Sequence, residues 1–236
     1  MAPIIEVSDE NLKSFNQLGI SYKLRNDLEN SAKQSDNQDN LKENFVYVPS
    51  LKLYISKERS HLGKNWFDSH KELQKNNERM LIIPEFIDFL KYLKSSNSKE
   101  HKNIYNEIIK VRNLWRAEWL DADFKVKDNK LYVNYSHFLD SEDNLTPKYS
   151  KVFDKSTLMN DKTPGISLDD WLNFSHTKQG LPKKSIKEGN LYYWHPRSDN
   201  NSVAGFGVYS VRAYLDCYWD PADSDSSLGV RAVRRE

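Results

Sequence analysis

The chain has 236 residues, 35 basic and 34 acidic, with a formal charge of +1 and 38% hydrophobic side chains. That length can bury a sizeable core, as one large or two small domains. The near-zero charge balance argues against a nucleic-acid footprint, and no apolar run reaches membrane-spanning length.

Residues 1–44 read as a polar N-terminal segment, with one apolar patch (Phe15, Leu18, Ile20, Leu24) and then a mobile loop over Asn30–Asn44. Met-Ala-Pro-Ile-Ile-Glu lacks a basic stretch followed by a long apolar run, so no signal peptide is expected. The folded domain is expected over 45–236. It opens with a hairpin, Phe45–Ser56, alternating around Pro49-Ser50. Trp66, His70, Leu73 and Gln74 share a face of a first helix. Pro84 marks the start of a second, with Glu85 favourable near its positive end, and Phe86, Phe89, Leu90 and Leu93 recur at helical spacing. A third helix is expected over Lys99–Trp119, with Ile104, Ile108, Val111 and Trp115 in register. Phe124–Tyr135 reads as a hairpin turning at Asp128-Asn129. Residues 136–165 read as loop. Ser167-Leu-Asp-Asp170 resembles a capping box opening a short helix. A basic, turn-rich connection over 173–187 leads into short strands: Asn190–His195, Gly205–Val211, Ala213–Trp219 and Gly229–Arg234.

The tail differs from the rest of the chain. All lysines lie at or before Lys187, whereas five arginines, five aspartates and four glycines lie beyond it. Burial would remove lysine, but the retained charges and tyrosines also fit an interface. Within the tail, Ala213, Leu215, Cys217 and Trp219 fall on one parity and Tyr214, Asp216, Tyr218 and Asp220 on the other. A period of two marks a half-buried strand, so the first set is expected in the core and the second in solvent. Tyrosine offers large contact area at low entropic cost, which suits a binding surface.

Val211-Arg-Ala-Tyr214, Trp219-Asp-Pro221 and Ser227-Leu-Gly-Val-Arg-Ala-Val233 together resemble the closing segment of the formylglycine-generating-enzyme-like branch of the C-type lectin fold. That segment reads Arg-x-Ala-Tyr/Phe, then Pro, then Gly-Phe-Arg; here Val230 takes the place of the Phe. Arg79-Met-Leu-Ile-Ile-Pro84-Glu85-Phe86 is similar to the branch's Arg-Leu-Pro-Thr-x-x-Glu-Trp region. The tail is most similar to variable proteins of diversity-generating retroelements, especially those of archaea and archaeal viruses. There a reverse transcriptase rewrites adenines in a short C-terminal cassette, which also disfavours lysine. The resemblance implies an α+β, C-type-lectin-like fold with helices beside small, mostly antiparallel sheets. It implies a variable region over about 190–236 and non-catalytic binding of a variable protein or surface ligand. The implied ligand-contacting positions are His195, Tyr209, Val211, Arg212, Tyr214, Asp216, Tyr218, Asp220, Asp223 and Asp225.

Chemistry beyond binding has little support in the residues. Formylglycine-generating enzymes use a cysteine pair, and the chain has only Cys217, which also excludes an intrachain disulfide. Asp220, Asp223 and Asp225 lack the glycine and terminal glutamate of a calcium loop. His195 has no nucleophile paired with it in sequence, and the six histidines show no metal-ligand spacing. No catalytic residue, cofactor or metal site is therefore expected. Arg231 is expected to be structural, and one of Tyr192 and Tyr193 is expected in the core.

Overall fold

The expected first hairpin forms: β1 (Phe45–Val48) pairs antiparallel with β2 (Leu53–Ser56), with Val48 opposite Leu53 across the Pro49-Ser50 turn. This computed structural model describes residue 41 and residues 43–113 and 115–235. The patch at Phe15–Leu24 and most of the loop expected over Asn30–Asn44 lie outside the described residues, whereas Leu41, Glu43 and Asn44 at the end of that range are helical rather than loop. Asn44–Glu236 makes one compact unit.

Three helices follow. Helix α1 (Trp66–Gln74) starts where the Asn65 side chain accepts the Asp68 amide at 2.8 Å. Helix α2 (Ile83–Ser95) carries Pro84 in its first turn. Glu85 accepts the Ile82 amide and is clamped by both terminal nitrogens of Arg79 at 2.7 Å. Helix α3 (Lys99–Ile109) is capped by the Ser98 hydroxyl.

The chain leaves α3 at Lys110, which is extended, so the helix expected to reach Trp119 ends ten residues early. Strand β3 (Arg116–Lys127) takes its place. Ladders to neighbouring strands on both sides satisfy its backbone, which outweighs a helical stripe that fitted Val111 and Trp115 only by spacing. Strand β4 (Lys130–Leu139) returns from β3 through Asp128-Asn129, both at positive φ as a tight hairpin turn requires.

Residues 136–165 are not the expected loop. Strand β4 runs to Leu139, β5 (Leu145–Val152) pairs along it, and β6 (Lys162–Ile166) follows. Most of β5 is exposed, so it lacks the alternation that would have marked it. The Ser167 hydroxyl accepts the Asp170 amide at 3.1 Å and opens α4 (Leu168–Asn173), as the capping-box pattern implies.

The tail forms β7 (Leu191–Trp194), β8 (Ser202–Tyr209), β9 (Arg212–Trp219), β10 (Leu228–Val230) and β11 (Val233–Arg235). The strand expected over Gly229–Arg234 is thus broken in two. At the break Arg231 turns inward, and its Nε meets Glu118 at 2.6 Å with both side chains buried. Its Nη1 also donates to the Ser56 carbonyl. Arg231 is therefore structural, a buried cation paired with a buried anion.

The result is an α+β fold with two sheets. One is three-stranded, in the order β1-β2-β11. The other is eight-stranded, in the order β5-β4-β3-β8-β9-β7-β6, with β10 added parallel to β3. Most pairs are antiparallel; β7 and β9 run parallel. One face of the large sheet presents Ala204, Phe206, Val208, Ala213, Leu215 and Cys217, all buried. The helices cover that face: the Phe86 ring lies 5.1 Å from Phe206, and Trp171 stacks over Phe206 from α4. The opposite face at β8 and β9 carries the candidate site.

Candidate functional site

Two glycines on β8 shape this face. Gly205 and Gly207 lie opposite Asp216 and Tyr214 of β9. With no side chain on β8, the Tyr214 ring lies directly over Gly207 and the Trp219 ring over Gly205. A methyl group on Gly205 would stand 2.7 Å from the Trp219 ring, and one on Gly207 would strike the Tyr214 ring.

Strand β9 does not keep a strict period of two. Gly205 pairs with Asp216, but Val203 pairs with Trp219, so β9 holds one residue more than β8 between those rungs. This β-bulge reverses the parity beyond it. Ala213, Leu215 and Cys217 stay in the core, as alternation requires, with at most 6% exposure. Trp219, expected with them, turns to the Tyr214 side and is half-buried. Tyr214, expected in solvent, is only 7% exposed because aromatic rings close over it. Trp194 meets it edge-on at 5.4 Å, and the Trp115 indole N–H donates to its hydroxyl. Trp219 in turn lies 5.5 Å from Trp115 and 5.0 Å from Trp119.

Trp115, Trp194, Tyr214 and Trp219 line a cleft of about 490 Å³ with Tyr209, Arg212, Asp216, Asp223, Asp225 and Leu228. Six of the ten positions nominated from sequence thus converge on one concavity: Tyr209, Arg212, Tyr214, Asp216, Asp223 and Asp225. The Arg212 guanidinium lies over Tyr192 at 5.0 Å and Trp194 at 5.6 Å, and its buried Nε meets no partner. Burial pushes the Asp216 carboxyl up to about 6, against the backbone N–H of Tyr218 and the charge of Arg197. Burial likewise pushes the Tyr214 hydroxyl up to about 12, although the Trp115 N–H favours its anion. Asp223 and Asp225 are exposed at the rim.

The other four nominated residues stand outside the cleft. His195 is tied to Asp161, its Nδ1 2.8 Å from Oδ1. Val211 is 73% exposed at the β8–β9 turn. Tyr218 is half-buried, with Arg197 3.7 Å from its ring centroid. Asp220 is exposed and accepts the Ala222 amide, an Asx turn. Of the adjacent tyrosines, Tyr193 is the buried one, and its hydroxyl donates to the Leu158 carbonyl.

Sequence reasoning missed Trp115 and Trp194 as wall residues. Trp115 had been assigned to a helix, whereas Trp194 lies on the same parity of β7 as Tyr192 and could have been found that way. The Cys217 thiol is fully buried, and burial pushes its pKa well up, so it offers no thiolate to this face.

Among the described residues one group could hold a metal ion: His70, Asp121 and His137, from α1, β3 and β4. Burial holds His70 down at about 4 although Asp121 opposes the shift. Burial also opposes charge on His137, but the hydrogen bond to Asp121 and the nearby Asp123 carboxylate outweigh it and raise it to about 9. Burial would raise Asp121, yet His70 and His137 together draw it below the usual carboxylate range.

No protein-family model matches this sequence, and no curated protein matches it either.

Proposed function

We propose that this chain is a non-catalytic binding protein that holds its ligand in the β8–β9 cleft, on a C-type-lectin-like scaffold whose C-terminal positions are diversified by an adenine-directed retroelement. The observation that carries the reading is the convergence of six nominated side chains on one aromatic-lined cleft while Ala213, Leu215 and Cys217, which alternate with Arg212, Tyr214 and Asp216 on β9, stay in the core. A scaffold meant to vary needs that division, because substitutions on the open face then leave packing untouched.

The lining suggests the ligand chemistry. The half-buried Trp194 and Trp219 offer faces to a planar or apolar group. Arg212 holds a buried Nε free to donate to an acceptor. Asp223 and Asp225 at the rim favour a basic group nearby. A peptide segment of a partner protein meets all three requirements. The residues lining the cleft are fewer than the roughly 20–30 a side of a specific protein interface, so the neighbouring exposed Val211 is expected to extend it.

Two measurements test the reading. Tyr209, Val211, Arg212, Asp216, Tyr218, Asp220, Asp223 and Asp225 can be randomised together to Asn, Asp, Tyr, Ser and Gly. Most library members should still fold, and selection against a purified protein should yield binders that lose affinity when Arg212 and Tyr209 become Ala. A library that unfolds as often as one randomised at Ala213, Leu215 and Cys217 would sink the display reading. Diversification is tested separately in the DNA: a nearby imperfect copy of the cassette should differ mainly at adenines of those codons. Differences spread evenly over all four bases would remove that part. An enzymatic reading of the formylglycine-generating type has less support, since its chemistry needs an accessible thiol and Cys217 has none.

A further inference from the structure

Helix α1 and strands β3 and β4 bring three donors from distant parts of the sequence into the interior. His70 and Asp121 are fully buried, and His137 is 5% exposed. One donor atom from each lies within 4.8 Å of the other two. His70 Nε2 stands 3.8 Å from Asp121 Oδ1, and His137 Nδ1 stands 2.5 Å from the same oxygen. The other Asp121 oxygen accepts the His137 backbone amide at 3.0 Å, which fixes the carboxylate between the two rings. Trp66 packs edge-on against both imidazoles and holds their planes, with centroids at 4.4 and 4.9 Å.

As a purely structural cluster this arrangement is incomplete. Neither ring nitrogen of His70 meets a hydrogen-bond partner, although the side chain is fully buried. Asp123 Oδ1 is also buried without a hydrogen-bond partner, 3.5 Å from His137 Nε2. Buried polar atoms are nearly always paired, so several orphans gathered at one point indicate a missing partner.

We propose that His70 Nε2, Asp121 Oδ1 and His137 Nδ1 bind a first-row divalent cation, with zinc the best match. Two imidazoles and one carboxylate form a donor set that zinc favours, and three protein ligands leave a fourth position open. Asp123 is the positioning residue. Once His137 Nδ1 turns to the metal, its Nε2–H faces Asp123 Oδ1, giving the carboxylate–histidine–metal arrangement that fixes a ligand's tautomer. Ligand atoms around tetrahedral zinc stand about 3.4 Å apart, so the His137–Asp121 pair must open by about 1 Å as the ion replaces the proton between them. Two surface cavities flank the cluster and give the ion a route. His137 lines one of about 800 Å³ with Gln74 and Tyr149, and Asp121 lines one of about 190 Å³ with Val133.

The test uses the full chain without an affinity tag, treated with a chelator and dialysed. Zinc chloride is titrated calorimetrically, and cobalt chloride by visible absorption. A single site is expected, with visible bands from tetrahedral cobalt. Zinc at a hundredfold excess over its Kd should raise the melting temperature by about 5–10 °C. The variant His70→Gln should bind zinc at least tenfold more weakly. Asp123→Asn, which keeps every ligand, should weaken binding about 10–100-fold and leave the metal-free melting temperature near wild type. The proposal is overturned if wild-type protein shows neither the melting shift nor the cobalt bands, if His70→Gln binds as well as wild type, or if magnesium or calcium gives the shift and zinc does not.

Discussion

Strands β5 and β4 and strands β8 and β9 belong to one sheet, on either side of β3, yet present opposite surfaces. Edge strand β5 carries Lys148, Tyr149 and Lys151 into solvent and is exposed over most of its length. Lysines on an open edge discourage pairing with another chain. Strands β8 and β9 are interior to the sheet and lysine-free. Their outward face carries glycines beneath aromatic rings, with Arg212 and Asp216 beside them. The difference separates two uses of an uncovered sheet face. At the β5 limb charge keeps the surface solvated; at β8 and β9 missing side chains on one strand let large rings from the next lie down and form walls.

If that contrast is right, substitutions should act according to face and limb. The largest effect is expected at Leu215, fully buried beneath the cleft: Leu215→Ala should cost about 2–5 kcal/mol in chemical denaturation. A cost below 1 kcal/mol would deny that the β9 underside is core. Next comes Gly207→Val, which must push the Tyr214 ring away. It should cost about 1–3 kcal/mol and change the near-ultraviolet dichroism of the cleft. The matching change on the other limb, Ser150→Val, should do neither, because Ser150 is exposed.

Asp216 supplies a pH test. Its folded-state value near 6 lies above the ordinary 3.8, so the fold prefers the protonated acid. From this group stability is greatest below about pH 4, falls as pH rises through 6, and stays reduced above that. Arg197, Asp161 and Asp223 also act on this carboxyl, so the slope belongs to the group in that setting. Asp216→Asn should therefore stabilise the protein at pH 7, on the order of 1–2 kcal/mol, and flatten the melting temperature between pH 4 and 6. A variant as pH-dependent as wild type would place the burial cost elsewhere. The smallest effect is expected from Lys151→Ala on β5, within about 0.5 kcal/mol by the same melts.

Much of this architecture could be read from residue pattern, and each failure has a local cause. Turn and cap chemistry located the first hairpin, the Pro84 helix start, the Asp128-Asn129 turn and the Ser167 cap, because each depends on a few adjacent residues. Alternation located the Ala213–Leu215–Cys217 core face. It failed at Trp219 because one extra residue in β9 flips every later side chain, and no residue type announces a bulge. The glycine pair around Phe206 was the visible hint that rings from the neighbouring strand would lie there. The third helix was drawn too long because Trp115 fits a helical spacing by coincidence, and only pairing with distant strands decides against it. The exposed β5 reads as loop because a strand with little burial shows no periodicity. The His70–Asp121–His137 group was invisible for a related reason: its members lie on three elements that meet only in the folded sheet.

The three-stranded sheet has a mechanical consequence. Strands β1 and β11 both run antiparallel to the central β2, and so parallel to each other. Tension between Phe45 and Arg235 would slide the two outer strands in opposite directions along β2, loading both sets of backbone bonds in shear rather than opening them one at a time. Single-molecule stretching between those ends should register one high rupture force.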